Sequence, residues 1–149
     1  MSRVEDNTRD TLVELRSADD RAPHVAAAVR TSLRDFFGDA ESAIARDFVV
    51  TVEDGDRPET LMVLLRRGGF VAGFGVFDAD NGAETLAAVA DRLQDAITEE
   101  FRVATPRCPG HPHPLSVRVI DAEPMWLCPK DNNHFACRIG EYEKPPPAP

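Results

Sequence analysis

The chain has 149 residues, enough for one domain with a core or for a small domain plus an appended module. It carries 26 Asp and Glu against 17 Lys and Arg, a net charge of −9. The acidity lies in residues 1–104, with 21 acidic against 12 basic side chains, while residues 105–149 balance five against five. A body of that sign repels phosphate backbones, so nucleic acid is not the expected partner. No apolar run approaches the roughly 18 residues that a membrane span needs. The first residues, Met1 to Asp6, show no apolar stretch after Arg3, so the expected location is the cytoplasm. The three cysteines, an odd number, all fall in the C-terminal third, which argues against a disulfide framework.

Thr11 to Leu15 fits either a short strand or a helical turn. Asp19 or Asp20 is a candidate N-cap, with Pro23 in the first turn, where a missing N–H costs nothing. Val25, Val29, Leu33, Phe36 and Phe37 then recur at helical spacing, with Gly38 as the expected C′ residue. That phasing predicts that Arg30, Arg34 and Asp35 face water. A second short helical piece is expected over Ala40 to Arg46. Phe48, Val50 and Val52 alternate with Val49, Thr51 and Glu53, which predicts a strand. Asp54 to Pro58 reads as a turn, and Leu61 to Leu65 as a central strand. Arg66-Arg67-Gly68-Gly69 predicts a hairpin turn into a third strand. In that strand Phe70, Ala72, Phe74 and Val76 face one way, and Val71, Gly73, Gly75 and Phe77 the other. The two glycines lack the third glycine and the helix of a dinucleotide loop, so close packing of a helix is the expectation there. After a turn at Asp78 to Gly82, a helix is predicted from Glu84 to Arg102, burying Leu86, Ala90, Leu93, Ile97 and Phe101. Asp91, Asp95, Glu99 and Glu100 fall on or beside its solvated face.

From Pro106 the composition changes. All three cysteines and three of the four histidines lie within residues 108–137. Cys108-Pro109-Gly110-His111 and Cys128-Pro129-Lys130-Asp131 are two turns in which side chains three positions apart can reach one metal ion. Cys108 and Cys128 are the leading ligand candidates, with His111 in the first turn and His113 competing with it. The fourth ligand is open between Asp131, His134 and Cys137. Strands are predicted over Leu115 to Asp121, over Met125 to Leu127 after a turn at Ala122 to Pro124, and around Phe135, Cys137 and Ile139. The final residues, Glu143 to Pro149, are proline-rich and are expected to be disordered or polyproline II.

This segment resembles a zinc ribbon in which the second cysteine of each knuckle is replaced. It also resembles the Cys-Pro-x-His-x-His-Pro…Trp-x-Cys-Pro tails of uncharacterised proteins from high-GC bacteria, which follow a helix with a Leu-Gln-Asp stretch, here Leu93-Gln94-Asp95. The ribbon resemblance implies a structural zinc ion, a cofactor that accepts Cys, His and Asp in tetrahedral geometry.

The expected fold is α+β: helix, three-stranded antiparallel meander, helix, followed by a small β-ribbon metal module. The expected organisation is an acidic body over 1–104, a zinc-ribbon-like module over 105–141 and a tail over 142–149. No residues line up as nucleophile, base and orienting group, and neither the deaminase nor the His-Glu-x-x-His pattern occurs. The expected function is therefore a non-enzymatic interaction or adaptor protein whose partner is another protein. Alternatives are an immunity- or antitoxin-like acidic protein covering a basic partner, a zinc-ribbon nucleic-acid-associated factor, and a metal-dependent hydrolase.

Overall fold

A computed structural model describes residues 12–37, 48–58, 60–77, 82–131 and 133–143. The helical piece expected at 40–46, the Gly38 cap, most of the 78–82 turn and nearly all of the 143–149 tail lie outside those residues. The fold is α+β; among the described residues it has two helices, a four-stranded sheet and a three-stranded ribbon.

Strand β1 (Leu12–Arg16) leads into helix α1 (Ala22–Phe37). Asp19 opens the helix: its Oδ1 accepts from the Arg21 N–H at 2.8 Å and its carbonyl from Ala22 N–H at 3.0 Å. Strands β2 (Phe48–Asp54), β3 (Leu61–Arg67) and β4 (Phe70–Val76) form the antiparallel meander. The expected three-stranded sheet gains a fourth strand, because β1 pairs in parallel with β2. The ambiguous Leu12–Leu15 segment is thus extended: Val13 enters the core opposite Val50. The order β1-β2-β3-β4 leaves β3 central, as its apolar run implied.

Helix α2 (Gly82–Phe101) packs along α1 and against β4. The core joins Val25, Val29 and Leu33 of α1, Phe48, Val50 and Val52 of β2, Val63 and Leu65 of β3, and Leu93 and Ile97 of α2.

Two expectations about β4 are corrected. Opposite Leu65/Arg66 the register slips, so that Arg66 faces Phe70 and Val71 is the extra residue. A bulge of one residue reverses the side-chain alternation. Phe70 therefore leaves the core side and is 68% exposed, while Phe74 and Val76 remain buried. Gly73 and Gly75 sit opposite Leu64 and Met62, on the face away from the core, and among the described residues no helix covers them. A Cβ at Gly73 would lie 2.6 Å from Leu64 Cδ2, so that leucine fills the space instead.

The ribbon comprises β5 (Ser116–Ile120), β6 (Glu123–Leu127) and β7 (Ala136–Arg138), all antiparallel. Its first turn is tighter than expected. Asp121 and Ala122 both take left-handed φ values, 52° and 66°, so Glu123 and Pro124 already belong to β6. The ribbon packs on the helices. Trp126 is wholly buried and meets Phe36 edge-on at 5.7 Å between ring centroids. The hydrophobic core runs unbroken from the helices to Leu115, Trp126, Ile139 and Tyr142.

The seam between helices and ribbon is polar at its centre. Asp35, expected on the solvated face of α1, is only 3% exposed. Its carboxylate accepts from Trp126 Nε1–H at 2.8 Å, from Gly140 N–H and from Tyr142 N–H at 3.3 Å. Asp35 is buried rather than solvated because the ribbon covers a second face of α1. Gln94 of α2, also buried, donates to the carbonyls of Leu115 (2.7 Å) and Thr105 (3.3 Å). Thr105 Oγ1 in turn donates to the Phe36 carbonyl at 2.8 Å.

Candidate metal centre

The residues from Arg107 to Pro114 form a closed knuckle. His111 N–H donates to the Cys108 carbonyl at 3.0 Å, and Cys108 N–H donates to the His113 carbonyl at 3.0 Å. Arg107 and Pro114 form a bridge at its base. Gly110 turns the chain with φ of 82°, a left-handed value that suits glycine. The second knuckle follows β6. Cys128 N–H donates to the Phe135 carbonyl at 3.1 Å, and His134 N–H to the Asp131 carbonyl at 2.9 Å.

The knuckles bring four ligand atoms together, one each from Cys108, His111, His113 and Cys128, all within 4.8 Å of one another. His111 Nδ1 lies 3.4 Å from Cys108 Sγ and 3.7 Å from Cys128 Sγ. Both cysteines are fully buried. Sequence spacing suggested a choice between His111 and His113; the geometry places both in the cluster. The first knuckle thus offers three groups and the second only Cys128.

Asp131, His134 and Cys137 stand outside the four. Asp131 Oδ1 accepts from the Asn133 N–H at 2.9 Å and so shapes its own turn. His134 stacks on the His111 ring at 4.3 Å between centroids and holds the Pro109 carbonyl through Nε2, tying the knuckles together. Cys137 pairs with Trp126 across β6 and β7, within the ribbon.

Burial, reinforced by the neighbouring Cys128, pushes the Cys108 thiol up to about 11, with Arg107 opposing. Burial holds His111 below its usual range, and His134, His113 and Lys130 add to that, which favours the neutral form of the ring, the form that can ligate. His113 gives the sharpest fit. Its Nδ1 lies 3.1 Å from the Pro114 carbonyl, which can only accept, so the proton sits on Nδ1. Its Nε2 is buried with no hydrogen-bond partner. A buried polar atom of this kind calls for a partner, and a metal ion is one that suits it.

Cys137 differs. Its thiol is pushed up to about 12, first by burial and then by Asp35 and Glu141. Sequence reasoning also missed Asp35, Gln94 and Thr105. Each is polar inside an amphipathic or turn pattern, and only the covering ribbon reveals it as buried.

No protein-family model matches the chain, and neither a curated protein nor a solved structure is significantly similar to it. Among the described residues, no helix is long and apolar enough to cross a membrane.

Proposed function

We propose that this chain is a non-enzymatic interaction protein whose ribbon is stapled by a structural zinc ion. The observation that carries this reading is the convergence of two buried sulfurs and two imidazoles, one of which, His113, also has a buried Nε2 with no hydrogen-bond partner. With bonds of about 2.3 Å to sulfur and about 2.0 Å to nitrogen, tetrahedral zinc separates S and N by about 3.5 Å. The 3.4 and 3.7 Å separations around His111 bracket that edge. Two thiolates and two imidazoles suit zinc, and they leave no coordination position for a substrate. Iron–sulfur clusters ordinarily need four thiolates, which the three cysteines do not supply.

The interaction role is supported by the net charge of −9, concentrated in the body, which favours a protein partner with a basic surface. Affinity purification of the full chain should recover such a partner in fixed stoichiometry; a chain that always returns alone would speak against the role. For the metal, replacement by cobalt should give the intense visible absorption of tetrahedral thiolate ligation. Added azide should leave that spectrum unchanged, because a closed site has no exchangeable water. A shift on adding azide would mean an open, catalytic-type site and would overturn the structural reading.

A further inference from the structure

The two edges of the four-stranded sheet are unlike. The β1 edge carries Glu14 and Arg16, joined by a 2.8 Å ion pair. The β4 edge, Phe70-Val71-Ala72-Gly73-Phe74-Gly75-Val76, has no charged residue and no proline. Among the described residues, nothing pairs with its outer side. Exposed strands ordinarily carry charge, proline or a bulge that discourages pairing. Here the single bulge sits at the Val71 end, so Gly73 to Val76 stays regular. Phe77, directly after β4, is 64% exposed, and its ring lies 3.6 Å from where a Gly75 Cβ would be. It therefore stands on the same outer face as Gly73 and Gly75.

We propose that β4 is the interface of a two-fold dimer, pairing antiparallel with β4 of a second copy to make a continuous eight-stranded sheet. The strand is complementary to itself. In an antiparallel register centred on Gly75, Phe77 of each copy falls opposite Gly73 of the other, and Phe74 falls opposite Val76. An aromatic ring lying across a glycine on a neighbouring strand covers the backbone that glycine leaves bare. Gly73 must stay a glycine in any case, since Leu64 occupies its side-chain space. An isologous contact of this kind closes on itself and so does not run on into fibres.

The test is sedimentation of the full-length, metal-loaded chain across a concentration series, for wild type and Phe77→Glu. Wild type should dimerise with a dissociation constant of about 10 μM or tighter. Phe77→Glu should weaken this at least tenfold, through two buried like charges beside β4, with unchanged helical content. Amide exchange supplies a readout that needs no variant: protection of β4 should rise with concentration while that of β1 does not. A wild type that stays monomeric would overturn the proposal, as would a dimer indifferent to Phe77→Glu with no concentration-dependent protection of β4. Full protection of β4 in a monomer would mean that another part of the chain covers the strand, which also overturns it.

Discussion

At the residue scale, Asp35 decides how the ribbon is held. A carboxylate is costly to bury, and this one is offset by the N–H donors of Trp126, Gly140 and Tyr142, with Arg34 at 3.2 Å. Asp35→Ala strands those donors in the seam and should cost about 3–5 kcal/mol in denaturant unfolding. A loss under about 1 kcal/mol would remove Asp35 from this role. Burial raises the folded-state pKa of Asp35 above its ordinary 3.8, against the pull of its donors. The folded protein therefore keeps this proton at pH values where the unfolded chain has lost it. The associated stability is complete below 3.8 and declines as pH rises towards the folded value. Asp35→Asn removes that titration. The stability difference between wild type and Asp35→Asn should shift towards the variant across this interval, and parallel pH curves would contradict the assignment. Any loss of metal at low pH affects both proteins and cancels in the difference. Asp19 behaves oppositely. Hydrogen bonds from Arg21 lower it to about 2, so its contribution is present above 3.8 and fades as pH falls towards 2.

At the scale of elements, the seam is made by groups that a period-based reading treats as surface. Gln94 lies beside Leu93 in a helical pattern that looks amphipathic, yet it holds the Leu115 and Thr105 carbonyls. Gln94→Leu keeps the volume but leaves both carbonyls buried without a donor. It should lower stability by about 1–3 kcal/mol, read from the urea midpoint at constant slope. An unchanged midpoint would show that the seam does not depend on this side chain. The strands and helices themselves were legible, since Phe48, Val50 and Val52 alternate and Val25, Val29 and Leu33 step at helical spacing. Their partners were not. The parallel pairing of β1 depends on a strand 37 residues away, with Val13 opposite Val50, and no local pattern encodes it. The bulge that turns Phe70 outward leaves no mark in an alternating apolar run. In the knuckles, spacing pointed to Cys108, His111 and Cys128 as ligand candidates. The place of His113 and the exclusion of Asp131 depend on how each loop closes, through the Cys108–His113 bond and the Asp131–Asn133 turn.

At the scale of the molecule, the body and the ribbon share one core, and the cluster lies two residues from Trp126. Loss of the proposed ion would loosen Cys108 and Cys128, and with them the Trp126 and Arg107 positions that reach Asp35 directly and through Tyr142. Metal uptake and docking of the ribbon are therefore expected to be one event, because so short a ribbon has little apolar area of its own. Thermal unfolding of the loaded protein should show Trp126 fluorescence and helical ellipticity changing together. Chelation should shift both to lower temperature, and two separate transitions in the loaded protein would contradict the shared core. The central claim is tested most directly by elemental analysis of purified wild type and three single variants, Cys108→Ser, Cys128→Ser and Cys137→Ser. The proposed zinc site predicts about one zinc per chain in wild type and Cys137→Ser, and none in the other two. Absence of stoichiometric metal from wild type, or its loss on replacing Cys137 alone, would contradict the account.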